Sequence, residues 1–262
     1  MTPHDFALGA IDPTADRSVY RQIADQLRDL AQDRLQPGDQ LPSESQLVAH
    51  YGVTRVTVRR ALELLKGEGV VVAEHGRGFF VRRRPVVLRQ SHDRLRRRHR
   101  DAGKGPFAAE AEAAGTRPTV DRVAVTTEPA DEEVRIRLGL APGTEVVVRS
   151  RRYLHDGRPV QTAVACIPAD IAAGTAITDI DPGPGGIYAR IEEAGHQLDR
   201  FTEEVHARMP SHDEAVALQL PPGVPVIELT RTAYAVSGRA VETSVIVMAA
   251  DVYVLDYEIP AH

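Results

Sequence analysis

The feature that most constrains the fold is a pair of helix signals separated by a short, glycine-containing turn. Ser43, with Gln46 three residues later, is a capping-box pattern, so a short helix is predicted over residues 44–50. Gly52 lies in the turn, where a positive φ is needed, and a second helix is predicted over residues 55–66. Two helices joined in this way are typical of a helix-turn-helix unit.

The flanking residues extend this unit into a three-helix domain with a β-wing. Apolar residues recur every three or four positions over residues 18–35, which predicts an amphipathic helix. Two short β runs at residues 70–72 and 79–81 surround a glycine-containing hairpin tip at residues 75–78. Residues 1–15 show no periodicity and are predicted to form a flexible tail.

The charge of the chain is divided unevenly between its two halves. Residues 1–105 carry 19 Lys and Arg side chains against 13 Asp and Glu, whereas residues 106–262 carry 13 against 24. A basic head on an acidic body suggests a nucleic-acid-binding module, although a solvated surface can have the same composition.

The length and the cysteine content of the chain limit which classes of protein it can belong to. A chain of 262 residues can form one large domain or two small ones, each with its own core. Cys166 is the single cysteine, so intrachain disulfides and cysteine-rich zinc sites are excluded and a reducing cytoplasm is expected. No apolar run of about 18 residues and no signal-peptide pattern occurs, so no membrane partner is expected.

After residue 117 the pattern changes to alternating apolar strands and short helices. Seven strands are predicted, at residues 119–127, 144–154, 159–168, 201–207, 224–235, 240–248 and 252–258. Three helices are predicted between them, at residues 131–138, 186–194 and 212–220. Residues 85–117 are rich in arginine and are predicted to form a partly helical linker. Its arginines could contact phosphates or pair with the acidic body.

A weak internal repeat indicates how the strands are arranged. Each copy has a short helix, a Pro-Gly turn, a strand, a hairpin and a second strand, at residues 130–168 and 211–248. Two such units side by side predict an antiparallel sheet with helices on one side, which is an α+β fold.

Three motifs of the head occur in a specific order. They are Leu-Pro-Ser-Glu at residues 41–44, the turn and helix at residues 51–62, and His-Gly-Arg-Gly-Phe-Phe-Val at residues 75–81. In this order they closely resemble the GntR family of winged-helix repressors. The resemblance implies a winged-helix DNA-binding domain over residues 16–84.

In such a domain the second helix enters the major groove and the wing enters the adjacent minor groove. The residues expected at the DNA are Ser43, Thr54, Arg55, Thr57, Arg59, Arg60, His75, Gly76 and Arg77. The family usually has arginine where this chain has Ser45, so one contact is expected to be missing. A double-stranded, pseudo-palindromic operator requires two heads, so a homodimer is expected.

The second half resembles the UTRA effector domain of the HutC-type branch, which shares its fold with chorismate lyase. The resemblance rests on Leu-Gly-Leu-x-Pro-Gly at residues 138–143 and on the hairpins at residues 155–159 and 238–242. It implies that residues 118–262 form an effector-binding and dimerisation domain with an N-terminal winged-helix partner in the same chain.

Relatives of this domain bind small carboxylated or phosphorylated metabolites between the two β units. The resemblance implies an effector site formed by Arg149, Arg151, Tyr153, Ala163, Glu242 and Met248. At Tyr153, Ala163 and Met248 relatives often carry Arg, Glu and Tyr, so the anion clamp is expected to be diluted. This pattern favours a less charged or bulkier effector, or a lost effector function. Arg151 could instead form an ion pair with Glu242 or with another neighbour on the strands.

These features favour a transcriptional repressor whose operator affinity is modulated by a small-molecule effector. The alternative is a ligand-independent repressor with a degenerate effector pocket. An enzyme would need convergent acid–base or nucleophilic groups, and the sequence has no Ser-His-Asp order, HExxH helix or glycine-rich phosphate loop. No catalytic residue, metal or cofactor is therefore expected.

Overall fold

The computed structural model describes residues 8–82 and 87–259, which divide into two compact units. The N-terminal unit holds residues 8–82, and the C-terminal unit holds most of the residues from 87 onward. Residues 1–7 of the predicted tail and Arg83 and Arg84 of the arginine-rich stretch lie outside the described residues. Among the described helices, none combines the length and the apolar character that a membrane crossing requires.

The N-terminal unit contains the predicted three helices and hairpin. They are α1 (Val19–Asp33), α2 (Glu44–Tyr51), α3 (Arg55–Gly67), β1 (Val71–Glu74) and β2 (Gly78–Val81). Their apolar faces meet in one core, in which Leu27, Leu47 and Leu62 are fully buried. Leu8 and Ile11 pack against this core, so the second half of the predicted tail is held by the domain.

Capping and turn chemistry determine how α2 leads into α3. The Ser43 hydroxyl accepts a hydrogen bond from the Gln46 backbone N–H (3.3 Å), and the Gln46 side chain accepts one from the Ser43 N–H (2.8 Å). Gly52 ends α2 with a φ of 65°, and the Thr54 hydroxyl caps α3 by accepting from the Thr57 N–H (3.3 Å). The capping box and the left-handed glycine are therefore both present, and two helices are closely connected without strain.

The wing is anchored to the segment that precedes α2. The Gly38 N–H donates to the Val81 carbonyl and the Leu41 N–H donates to the Phe79 carbonyl, both at 2.8 Å. These bonds add a short third strand to the β1–β2 hairpin. The hairpin is thus held by backbone bonds to the same element that positions α2.

The C-terminal unit is built on one six-stranded antiparallel sheet with the order β4-β5-β6-β9-β8-β7. Its strands are β4 (Pro118–Pro129), β5 (Glu145–His155), β6 (Arg158–Pro168), β7 (Leu198–Arg208), β8 (Val226–Ala235) and β9 (Ala240–Ala249). Helix α7 (Glu132–Leu138) follows β4, and α10 (His212–Ala217) follows β7. The predicted repeat therefore appears as β4-α7-β5-β6 and β7-α10-β8-β9, joined through β6 and β9.

Helices cover both faces of this sheet, so the prediction of helices on one side only is wrong. Leu138 of α7 packs with Val146 on one face. Val147 points to the opposite face, where it packs with Ile171 of α8 (Ala169–Ala172) and Ile191 of α9 (Gly186–Glu193). The second layer comes from the connection between the two repeats, which also holds a short 3-10 helix (Ala176–Thr178), and the repeat pattern does not include this connection.

The arginine-rich stretch is more ordered than a linker. Strand β3 (Val87–Gln90) pairs in parallel with β10 (Tyr253–Asp256) near the end of the chain. Helices α4 (Ser91–Arg94), α5 (Arg97–Asp101) and α6 (Pro106–Ala113) follow. From residue 87 onward the predicted linker thus belongs to the C-terminal unit. Periodicity missed it because its strand finds a partner more than 150 residues away.

Substituting Gly52 with alanine is expected to destabilise the N-terminal unit by about 1–2 kcal/mol. An added Cβ would meet no atom within 4 Å, so the cost arises from the positive φ alone. Gly67→Ala is the matched control, because its Cβ also meets nothing and its φ is not left-handed. Urea unfolding followed by circular dichroism measures both; equal stability of the two variants would contradict the prediction.

Candidate nucleic-acid interface and ligand pocket

Two arginines on the first turns of α3 form an exposed cationic surface beside α2. The side chains of Arg55 and Arg59 are 60% and 62% exposed, and their Nε atoms lie 3.4 Å and 3.1 Å from the Glu44 carboxylate. Exposed ion pairs contribute only about 0–1 kcal/mol, so a phosphate or a guanine can replace Glu44 at little cost. Glu44 therefore orients both guanidinium groups and leaves them accessible.

Ser45 and Ser43 take different roles at the start of α2. The Ser45 hydroxyl accepts a hydrogen bond from Arg55 Nη2 (3.3 Å), so the residue at the position of the missing arginine helps to orient another arginine. Ser43 is exposed and its side chain is engaged in the capping box. The capping box already uses the backbone N–H groups of Ser43 and Gln46 at this helix start.

The other predicted residues of α3 are more strongly engaged within the protein. The Arg60 guanidinium lies 4.1 Å from the centre of the Tyr20 ring on α1, a cation–π contact that accounts for its orientation without DNA. The hydroxyls of Thr54 and Thr57 are 3.0 Å apart and hydrogen-bond each other at the start of the helix. Arg55 and Arg59 are consequently the more accessible of the α3 residues that are predicted to contact DNA.

Val56 is a surface residue that sequence reasoning missed. It is 76% exposed, and it lies on the second position of α3, outside the buried stripe that contains Val58 and Leu62. An exposed β-branched side chain at this point suits the methyl group of thymine in a major groove. The signal was present in the sequence as an apolar residue out of phase with the core stripe.

The wing tip places His75, Gly76 and Arg77 together on an exposed turn between β1 and β2. Gly76 has a φ of 73°, which the turn requires. Arg77 pairs with Glu74 and lies 5.0 Å from the Phe80 ring centre, so its side chain runs back along the hairpin. It would have to leave Glu74 to enter a groove, which an exposed pair permits.

The C-terminal unit contains a cavity of about 510 Å³ on the face of the sheet opposite α7 and α10. Its size is in the range of ligand-binding pockets. Five predicted effector residues line it: Arg149, Arg151, Tyr153, Ala163 and Glu242. Met248, the sixth, is fully buried and accepts a hydrogen bond from a lining residue.

The two arginines on β5 have different environments. Arg149 is 1% exposed, and its guanidinium donates to the carbonyls of Ile177, Asp179 and Ile180, which holds the loop after α8. Arg151 makes no ion pair within the described part of the chain, and its Nε is buried without a hydrogen-bond partner there. Arg151 is the better placed of the two to bind a ligand.

Glu242 has a neutral hydrogen-bond partner instead of Arg151. Its carboxylate accepts from the Tyr188 hydroxyl (3.1 Å), and burial raises its pKa. The nearby Arg231 donates through Nε to Glu203 (3.0 Å). The positive charge of Arg151 opposes this rise in the pKa of Glu242, but the Arg151 Nε has no hydrogen-bond partner among residues 8–82 and 87–259.

Three further arginines that the sequence did not assign to the pocket also line it: Arg89, Arg94 and Arg231. Arg231 lies on the side of β8 that faces the cavity. The alternation of side chains along the strand could have predicted this position from the sequence. Arg89 and Arg94 reach the cavity only because β3 pairs with β10, which no local pattern predicts. The cavity is therefore richer in cations than the diluted clamp expected from β5, β6 and β9.

Much of the arginine-rich stretch is neutralised inside the C-terminal unit. Arg94 Nη2 lies 3.0 Å from Glu203, and Arg100 Nε lies 3.1 Å from Glu192. Of the two alternatives for these arginines, pairing with the acidic body holds for Arg94 and Arg100.

Cys166 and His155 are buried groups of the described residues whose pKa values are shifted by their surroundings. Burial raises the pKa of the Cys166 thiol to about 12, so the thiolate is scarce at neutral pH. Burial lowers the pKa of His155, which is 6% exposed. No group of three or more His, Cys, Asp or Glu side chains in the described ranges is arranged to hold a metal ion.

Comparisons with known proteins give a consistent picture. The model of the UTRA domain matches residues 113–254, and the model of bacterial regulatory proteins of the gntR family matches residues 19–81. An uncharacterised HTH-type transcriptional regulator of Streptomyces coelicolor is 33% identical over 246 residues, which is 91% of each chain. The mannosyl-D-glycerate transport/metabolism system repressor of Escherichia coli is 27% identical, over 87% of this chain and 90% of the relative. The crystal structure of PhnF from Mycobacterium smegmatis has a TM-score of 0.59 at 25% identity, over 94% of this chain and all of that chain.

Glu203 is expected to make the C-terminal unit sensitive to acid. Burial raises its pKa, but the positive charges of Arg231 and Arg94 outweigh burial and hold the pKa at about 2. The resulting stabilisation, about 3 kcal/mol, is present above the ordinary value of 4.5 and is lost as the pH falls toward 2. Urea unfolding from pH 7 to 2.5 should show Glu203→Gln less stable at neutral pH and converging with the wild type in acid. Parallel stability curves would contradict this assignment.

Proposed function

This chain belongs to the GntR family of bacterial regulatory proteins and carries a C-terminal UTRA domain, and from this premise we propose how it recognises DNA and responds to a ligand. It is a DNA-binding transcriptional regulator and not an enzyme. The proposed function is a homodimeric, cytoplasmic repressor that binds a pseudo-palindromic operator and changes its affinity when a small molecule occupies the cavity.

The exposed arginine pair on α3 is the observation that supports operator binding most directly. Arg55 and Arg59 lie on the first turns of the second helix of a helix-turn-helix, the part that faces base edges in the major groove. Both are exposed and oriented by one carboxylate, Glu44. Arginine in this position binds guanine through two hydrogen bonds or a flanking phosphate through its charge.

The remaining predicted residues add to this surface. Ser43 contributes the start of α2 to a phosphate, and Thr54 and Thr57 contribute hydroxyls at the start of α3. His75, Gly76 and Arg77 bring the wing tip to the minor groove, where arginine suits a narrow, negative groove. Val56 adds an apolar contact to this set.

The cavity supports modulation by an effector. It combines apolar walls with several guanidinium groups, and the Arg151 Nε is buried there without a hydrogen-bond partner among the described residues. Arg151 provides one such group at the centre of β5, with Tyr153 beside it and Ala163 opposite it on β6. A degenerate pocket would be expected to fill with side chains or to pair its charges internally. The open volume therefore favours a ligand-responsive regulator over the ligand-independent alternative.

The uncovered centre of the opposite sheet face supports a homodimer. Val164 and Val245 lie directly opposite each other on β6 and β9 and are 42% and 37% exposed. Ser150 and Thr230 continue this row on the neighbouring strands, so four uncharged side chains lie side by side. We infer that a second copy of the chain covers this row, because a two-fold operator needs two heads and exposed apolar patches mark interaction sites.

Operator binding is tested with fragments selected from genomic DNA by the purified wild-type protein at two salt concentrations. The proposal predicts two related half-sites, and Arg55→Ala and Arg59→Ala should each weaken binding by about 1–3 kcal/mol. Lys66→Ala, a cation in the last turn of the same helix, is the control. Wild-type affinity of both arginine variants in a gel-shift titration would refute the assignment of α3.

The dimer is tested by placing a charge at the centre of the open sheet face. Val164→Lys should raise the dimer dissociation constant by about tenfold or more, because a lysine in the proposed interface would lose its hydration without gaining a partner. Val236→Lys is the matched control, since Val236 is 69% exposed in a hairpin outside this face. Sedimentation velocity over a concentration series measures both, and unchanged association of Val164→Lys would place the interface elsewhere.

A further inference from the structure

Two exposed arginines without carboxylate partners lie where α1 packs against α3. Most cations of the N-terminal unit have a carboxylate beside them; they are Arg17, Arg28, Arg55, Arg59, Lys66 and Arg77. Arg21 on α1 and Arg60 on α3 are exposed, and neither forms an ion pair among the described residues. Their charges are therefore available to an anion from outside the protein.

Tyr20 holds these two arginines at one place. Its ring packs against the core of the unit, and the Arg60 guanidinium lies 4.1 Å from the ring centre. Its hydroxyl accepts a hydrogen bond from Arg21 Nε (3.1 Å), and the Arg21 guanidinium lies 5.9 Å from the same ring centre. One aromatic side chain thus orders a guanidinium group from each helix, which lowers the entropy that binding costs.

The carboxylates that lie one turn away along each helix are occupied by other cations. Asp25, four residues after Arg21 on α1, already pairs with two other arginines at 2.6 Å and 2.8 Å. Glu63, three residues after Arg60 on α3, pairs with Lys66 (3.0 Å). Neither helix therefore compensates its arginine through the usual contact with the next turn.

The start of α1 is an unfavourable place for this charge. Arg21 lies in the first turn of the helix, which holds no acidic residue, and the helix dipole disfavours a cation at this end. The hydrogen bond from Arg21, together with the charges of Arg21 and Arg60, lowers the pKa of the Tyr20 hydroxyl. The fold thus keeps a concentration of positive charge at its surface that its own groups do not balance.

The position of Arg60 relates this charge to the DNA-binding surface. Arg60 follows Val56 by four residues, so both lie on the side of α3 away from the buried Leu62. A helix with its side chains is about 10–12 Å wide and the major groove is about 12 Å wide, so phosphates flank a helix in the groove. Arg21 approaches from α1, outside the helix-turn-helix, and this placement suits the backbone beside the groove and not a base edge.

We propose that Tyr20, Arg21 and Arg60 form a phosphate-binding cluster that contacts the DNA backbone beside the groove entered by α3. Arg21 and Arg60 bind the phosphate, and Tyr20 positions both. The proposal rests on the proposed operator binding and adds a contact that carries affinity without sequence information. It gives Arg60 a role that differs from the base reading proposed for Arg55 and Arg59.

The test uses the full chain and two DNA duplexes of equal length. One is the fragment that the wild type selects from genomic DNA, and the other is a scrambled sequence of the same base composition. Arg21→Gln and Arg60→Gln should each weaken the binding of both duplexes by a similar factor, roughly tenfold for a dimer. Between about 50 and 200 mM KCl, the slope of log Kd against log salt should become shallower by about 2, one for each protomer.

Arg34→Gln is the matched control for charge. Arg34 is exposed at the other end of α1, about 20 Å along the helix from Arg21, and its substitution removes the same single charge. Its affinity and salt slope should equal those of the wild type.

Substitutions of Tyr20 test its positioning role. Tyr20→Phe keeps the ring beside Arg60 and removes only the hydroxyl that Arg21 uses. Its loss of affinity should therefore be smaller than that of Tyr20→Leu, which removes both contacts.

Unchanged affinity of Arg21→Gln and Arg60→Gln for both duplexes would overturn the proposal. A loss confined to the selected fragment, with an unchanged salt slope, would also overturn it, because the cluster would then read bases. Equal wild-type affinity for the two duplexes would instead contradict the sequence-specific operator function, and the scrambled duplex would still report on the cluster. Circular dichroism checks that each variant is folded, and the exposed Arg21→Gln decides if Tyr20→Leu is not.

Discussion

The antiparallel pairing of β6 with β9 is the interaction on which the C-terminal unit depends. It runs from Gln161 opposite Met248 to Cys166 opposite Thr243 and joins two structural repeats into one sheet. Side chains alternate along each strand, so this single seam places Ala163 and Ile246 in the floor of the cavity. The same alternation places Val164 and Val245 at the centre of the opposite, open face. One register therefore determines both the floor of the cavity and the surface that we propose for the second copy. A shift by one residue would exchange their side chains.

Arginine is the side chain that links the parts of this molecule, and its surroundings decide its role. Arg59 on α3 is exposed and held by a weak ion pair, so it can exchange its partner for DNA. Arg149 is buried, and its guanidinium donates hydrogen bonds to backbone carbonyl groups. It therefore has a structural role in the wall of the cavity. Arg89 is buried beside the Glu110 carboxylate and donates to Gln161 and Met248, so its charge is held within the wall of the cavity. Exposure and hydrogen-bond partners distinguish these three roles, whereas residue type does not.

The head was largely predictable because its signals are local. The capping box at Ser43 and the left-handed Gly52 each depend on residues within a few positions of one another, and both are found as predicted. The strands and the repeat of the C-terminal unit were predictable for the same reason, since turn residues and alternation are local patterns. The helix layer formed by α8 and α9 could not be predicted in this way. It comes from the segment between the two repeats, and that segment has no counterpart elsewhere in the chain.

The sequence by itself determined the helix-turn-helix with its wing, the α+β sheet built from two repeats, and the identity of the arginines on α3. These follow from periodicity, capping and turn chemistry, which act over a few residues. Only the tertiary structure decided which charges meet inside the cavity. Arg89 enters it because β3 pairs with β10 across more than 150 residues, and Arg94 and Arg231 share Glu203 across three separate elements. Long-range pairing and burial set these partners, and neither leaves a mark on the local pattern of residues.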